Sequence, residues 1–178
     1  VLNAVAAAEQ GASILTRHRC ISARRDGDVW SATLRDRHGG ETRVRARALI
    51  NAAGPWVDGV LGLIDGVPLR NTSLRLVKGS HIVVNRRYQG NHAYIMQNHD
   101  RRVVFALPFQ DRFTLIGTTD TPFDGDPEQV AIDTGEIAYL CDAFNRSFPP
   151  PCVPDDVVWY YHGVRPPHGD ERSDSPRG

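Results

Sequence analysis

Ala48-Leu49-Ile50-Asn51-Ala52-Ala53-Gly54-Pro55-Trp56 is an apolar run that shrinks to small side chains and stops at a Gly-Pro step. A largely apolar stretch of this length, bounded by turn residues, predicts a buried strand over 48–53. Pro55 has no amide hydrogen to leave unpaired, and its fixed φ suits a first helical turn, so a helix is expected to run to about Leu63. Small residues at such a strand end let a ligand approach the free backbone N–H groups of the helix start. The same pattern also makes an ordinary tight turn.

Upstream, residues 1–10 are Ala-rich with good helix propensity, and Gly11 is a suitable stop. Ser13-Ile14-Leu15-Thr16 predicts a second short parallel strand. Between the two lie extended segments at 19–23, 29–35 and 42–46. Asp26-Gly27-Asp28 and His38-Gly39-Gly40 separate them, and both are good hairpin turns. Helix, strand, three-stranded meander, strand, helix is the pattern of part of a doubly wound α/β sheet.

From Pro68 onward the texture changes. Segments 74–85, 92–97, 103–108 and 113–117 alternate or run apolar with polar turns between them, which predicts an antiparallel sheet. Asp133 can cap a helix, Glu136 is its capping-box partner three residues on, and 137–144 supplies the apolar stripe. Pro149-Pro150-Pro151 ends that helix, 157–164 makes one more strand, and 166–178 is a polar tail. The organisation expected is therefore α/β over 1–66, followed by an α+β piece over 67–178 made of antiparallel sheet and one covering helix.

Composition narrows the function. Hydrophobic residues are 40% and charged residues 24%, which fits a folded globular chain rather than a disordered one. A formal net charge of zero gives no bulk electrostatic case for nucleic acid, and the doublets Arg24-Arg25, Arg86-Arg87 and Arg101-Arg102 lack interleaved aromatics. No apolar run reaches the roughly 18–20 residues that span a bilayer. Cys20, Cys141 and Cys152 are an odd set without metal-ligand spacing, so free thiols and no metal are expected. Lys78 is the one lysine among 21 basic residues. The chain opens Val1-Leu2-Asn3 without a Met or a basic leader, and we expect it to be part of a longer polypeptide.

Three further segments could carry chemistry. Lys78-Gly79-Ser80-His81 interrupts an apolar strand with a glycine, a mark of close backbone approach, and His81 could accept a proton near neutral pH. Ile116-Gly117-Thr118-Thr119-Asp120 ends a strand in hydroxyls, which can line a polar pocket or simply turn the chain. Gly163-Val164-Arg165-Pro166 presents a permanently charged guanidinium that suits a phosphate or carboxylate, or carbonyl groups of the protein itself.

These segments occur together and in this order, and in that combination the chain resembles the aerobic, FAD-dependent glycerol-3-phosphate dehydrogenases. The matching stretches are 49–57, Arg75-Leu76-Val77-Lys78-Gly79-Ser80-His81-Ile82-Val83-Val84, 116–120 and 163–166, with Ser173-Asp174-Ser175-Pro176 in the tail. The resemblance implies a partial doubly wound FAD-binding layer with an inserted β-meander, then a substrate domain of antiparallel sheet. It implies oxidation of glycerol 3-phosphate to dihydroxyacetone phosphate, with hydride passing to FAD and electrons to a quinone. A cytoplasmic enzyme, peripheral on the inner membrane, follows from the same likeness. By similarity His81 and Arg165 would be catalytic, and Thr118 would join them in binding substrate. Arg19, Cys20, Ala53, Gly54 and Arg165 would approach the cofactor. The sequence contains no G-x-G-x-x-G, so this polypeptide by itself is expected to hold FAD weakly or not at all. A related flavoenzyme acting on amino acids or another hydroxy acid, and a non-catalytic module, are the competing expectations.

Overall fold

In the computed structural model, which describes residues 1–67 and 75–166, the chain divides into two units, Val1–Ser73 and Leu74–Gly178. The first opens with helix α1 (Leu2–Glu9). Strands β1 (Arg19–Asp26), β2 (Val29–Arg35) and β3 (Glu41–Ala46) follow as an antiparallel meander. Asp26 pairs with Val29 around a two-residue turn in which Gly27 has φ +60, a conformation that glycine adopts without steric cost. At the next turn the Asp36 carboxylate accepts the amides of His38 and Gly40, and Arg35 meets Glu41 across the strands at 2.7 Å. Ala23, Ala32 and Ile64 form a small core, with Trp30, Leu49 and Leu61 packed against it. A short 3-10 turn (Gly54–Trp56) leads into helix α2 (Val57–Leu61), close to the expected 55–63 helix.

Two expected strands are absent. Residues 13–16 and 48–53 have no ladder, and Ile14, Leu15 and Ile50 are exposed. A strand exists only where a neighbour supplies hydrogen-bond partners, and β1, β2 and β3 pair among themselves. Among the described residues the parallel pairing of this unit is one bridge, Ala23 to Ile64. The apolar runs are real, but among the described residues no neighbouring strand lies beside them.

The second unit is built around β4 (Leu76–Asn85). One edge of β4 pairs with β9 (Val157–Arg165) from Val77 to Val84. Its other edge is shared: β7 (Phe113–Gly117) takes residues His81 to Asn85, and β8 (Thr121–Phe123) takes Leu76 to Lys78. Strands β6 (Val103–Phe109) and β5 (Tyr94–Gln97) continue the sheet beyond β7. All these pairings are antiparallel, at nearly the expected positions; β8 is an addition, and Leu74 and the tail from 167 lie outside the described residues.

Alternation along β4 sorts its side chains between two faces. Lys78, Ser80, Ile82 and Val84 are buried on the side where helix α3 (Thr134–Asn145) packs, and Leu140, Cys141, Ala143 and Phe144 of that helix complete the core. Asp133 and Glu136 form the capping box: the Asp133 carboxylate accepts the Glu136 amide at 2.9 Å, and Glu136 accepts the Asp133 amide at 3.1 Å. Gly79 and His81 lie on the opposite, half-open face. All three cysteines are free thiols.

Phe144 is fully buried and stacks on Phe148 at 4.5 Å. Phe144→Ala should therefore destabilise the second unit by about 3–5 kcal/mol. Ile95→Ala, on an exposed position, should stay within about 0.5 kcal/mol. Urea titration followed by near-UV circular dichroism distinguishes the two.

Candidate active site

His81 sits opposite Tyr161 of β9 on one side and Gly117 of β7 on the other. The imidazole stacks on the Tyr161 ring, centroids 4.5 Å apart and planes within 7°. At position 117 only glycine fits, because a methyl group there would overlap the imidazole. The ring is held from both sides, and its Nδ1 is buried without a hydrogen-bond partner. Burial favours the neutral ring and pushes the His81 pKa below its ordinary value.

Two residues along from this row, Gly79 of β4 faces Gly163 of β9. Thr118 lies over Gly79, its hydroxyl 2.6 Å from where a Cβ would be, whereas a Cβ on Gly163 would meet nothing within 4 Å. One step further, Val77 pairs with Arg165, whose guanidinium contacts the Asp120 carboxylate at 2.9 Å with both groups about half exposed. Since side chains of one strand face repeat every two residues, His81, Gly79, Tyr161, Gly163 and Arg165 share a face. The imidazole and the guanidinium are separated by roughly 13 Å of strand rise, with a side-chain-free floor between them and Thr118 beside it.

The remaining predicted contacts lie in the first unit. Arg19 opens β1 and lines a cavity of about 480 Å³ whose wall also holds Arg17, His18, Arg35 and Arg37. Cys20 is half-buried at a bulge in the β1–β2 register. Ala53 and Gly54 form a braced turn: the Asn51 side chain donates to the Val57 carbonyl at 2.9 Å and accepts the Ala53 amide at 3.2 Å. Gly54 has φ +56, and a Cβ there would meet open space, so the turn presents bare backbone. A cationic hollow and an uncovered glycine turn both fit a phosphate-bearing cofactor.

Three participants were not singled out from the sequence. Asn51 braces its turn, and its place before Ala-Ala-Gly could have suggested an Asx turn. Tyr161 reaches His81 through strand register, which the local pattern does not encode. Glu136 was read as a cap, yet its carboxylate also accepts the hydroxyls of Ser80 at 3.0 Å and Thr119 at 2.8 Å, and meets Lys78 at 2.8 Å. The arginine doublets are partly structural: Arg86 donates to three backbone carbonyls, Arg87 pairs with Asp156, and Arg102 pairs with Asp100 and stands 4.0 Å from the Tyr139 ring centroid. No helix of the described residues is long and apolar enough to cross a membrane.

A family model for FAD dependent oxidoreductases matches residues 1–177. The glycerol-3-phosphate dehydrogenase of Pseudomonas aeruginosa is 48% identical over 177 residues, which are 99% of this chain and 34% of that enzyme. The D-erythritol 1-phosphate dehydrogenase of Brucella abortus is 47% identical over 166 residues, 93% of this chain and 33% of the relative. Among solved structures, the Bacillus halodurans glycerol-3-phosphate dehydrogenase complexed with FAD superposes with a TM-score of 0.76 at 31% identity, covering 89% of this chain and 32% of that one. The chain thus spans about a third of the length of the curated relatives it matches.

The site geometry fixes a titration. The His81 midpoint should fall below 6.5. Because the fold lowers that value, the stability associated with the neutral ring is complete above the unfolded pKa and is lost as pH falls through the folded one. Gly117→Ala should displace the ring and return the midpoint toward 6.5. Ring-proton NMR across pH 4–8, on the order of the histidine range, reads both.

Proposed function

Because the chain belongs to the FAD dependent oxidoreductase family, we propose that it supplies part of the substrate site and part of the flavin site of an enzyme oxidising sn-glycerol 3-phosphate to dihydroxyacetone phosphate. The observation that carries this is the single sheet face bearing His81, Thr118 and Arg165 around the Gly79–Gly163 floor. FAD, when bound, supplies the acceptor for the hydride leaving C2. Ala53 and Gly54 would meet it with backbone, Arg19 and the backbone at Cys20 would lie by its adenosine half, and Arg165 would offset negative charge.

His81 is the proton acceptor in this scheme. A guanidinium has no free lone pair to take a proton at physiological pH, whereas a half-buried imidazole with a lowered pKa stays neutral and available. With Nδ1 sealed in the protein, Nε2 is the nitrogen that would receive the C2 hydroxyl proton. Tyr161 and Gly117 hold the ring plane, so little orientation is lost on reaction. Thr118 offers a hydroxyl over the floor, and Arg165, partly neutralised by Asp120, faces the substrate phosphate or the charge that develops on reduction. The Brucella relative's name makes a longer polyol phosphate the second substrate to consider. Transfer of the electrons onward to a quinone at the cytoplasmic membrane extends the scheme by resemblance alone.

A chimera tests it: residues 1–178 replace the matching third of the Pseudomonas aeruginosa enzyme. It should retain flavin and oxidise glycerol 3-phosphate in preference to erythritol 1-phosphate, and leave glycine and sarcosine untouched. His81→Asn should keep the flavin and lower kcat by about 10²–10⁴-fold. Equal turnover by that variant overturns the assignment. The 178-residue chain alone, which has no G-x-G-x-x-G, should purify without stoichiometric flavin absorbance.

A further inference from the structure

On the far side of β4 from His81 lies a group that the scheme above leaves unused. Glu136 is 7% exposed and Lys78 9%, and the two meet at 2.8 Å. The carboxylate's two oxygens are divided between two tasks. Oε2 meets the Lys78 ammonium and accepts the Asp133 amide. Oε1 accepts the hydroxyls of Ser80 and Thr119. Lys78 is further held by Asp133 at 3.2 Å and the Ala131 carbonyl at 3.1 Å. Burial opposes its charge, but these acceptors outweigh burial and hold the ammonium above its ordinary range.

Thr119 connects this buried charge to the open face. Its hydroxyl donates to Glu136 and accepts the Ser80 amide at 2.8 Å, and its own amide donates to the Ser80 carbonyl at 3.2 Å. One residue before it, Thr118 donates its hydroxyl to the Thr119 carbonyl at 2.8 Å and lies over Gly79; one residue after it, Asp120 holds Arg165. Three hydrogen bonds thus fix residue 119 to β4 and α3, and its two neighbours are the groups that border the glycine floor. We propose that Thr119, anchored on Glu136, is a positioning residue that sets Thr118 and Asp120, and through Asp120 the guanidinium of Arg165, at the substrate face. The inference rests on the assignment of that face to polyol phosphate binding.

A β-branched, near-isosteric replacement severs the connection without emptying the site. Thr119→Val removes the hydroxyl that serves both Glu136 and the Ser80 amide; Thr119→Ser restores it. In the 178-residue chain, NMR contacts between Thr118 and the Gly79 α-protons should disappear in Thr119→Val and persist in Thr119→Ser. In the chimera, Thr119→Val should raise KM for glycerol 3-phosphate by about tenfold with flavin content unchanged, and Thr119→Ser should behave as the parent. Thr119→Ala, which removes the same hydroxyl without placing a methyl group beside Glu136, should reproduce the loss and decides the matter if Thr119→Val does not fold. Persistence of the Thr118–Gly79 contacts in folded Thr119→Val, or an unaltered KM, overturns the proposal even where the chimera turns over. A flavin-loaded chimera without turnover sinks the substrate assignment instead, and the NMR comparison then decides the positioning role.

Discussion

A carboxylate and an ammonium removed from water are costly, and a buried ion pair often contributes little net stability compared with a hydrophobic pair of the same volume. The Lys78–Glu136 pair is tolerable because the ammonium protons and the carboxylate lone pairs are used: Lys78 has two carboxylates and a carbonyl, and Glu136 has an ammonium, two hydroxyls and an amide. What such a network contributes is definition, since its members are satisfied in one arrangement and unsatisfied in others. Here the arrangement joins the first turn of α3 to β4 and to the segment after β7. Those three elements share no sequence proximity.

The division of β4 into two faces follows from the same constraint. Apolar and charge-paired side chains at even positions turn inward under α3, and on the other face Gly79 and His81 stand between Val77 and Val83. Glycine inside a strand forgoes packing and costs entropy. At 79 and 163 that cost falls on directly opposite positions. At 117 the missing side chain is what lets the His81 ring lie against the sheet. Three glycines therefore trade local strand stability for a face free of side chains beside the His81 ring.

Much of this was legible in the sequence. The Gly27 turn and the Asp133/Glu136 box placed the meander and α3 almost residue for residue, because both signals act over two to four residues. His81, Thr118 and Arg165 stood out as candidates because glycines interrupt or precede them in their apolar strands. The parallel strands at 13–16 and 48–53 were misread for a physical reason: hydrophobicity specifies burial, but a ladder needs a partner. Tyr161 and Glu136 were invisible in their site roles because strand register and helix docking bring them to the site from about 55 to 80 residues away in sequence, a distance no local period spans.

Strand β9 pairs with β4 along one edge only among the described residues, and Val158, Trp159, Tyr160 and Tyr161 are all exposed. Nine extended residues, rich in aromatic surface and carrying no lysine, are guarded against edge-to-edge growth by little more than a bulge at Val158 and the terminal Arg165. In concentrated solution this polypeptide by itself is thus a template for adding another strand. Turbidity and sedimentation behaviour should be governed by β9 long before the core of either unit gives way.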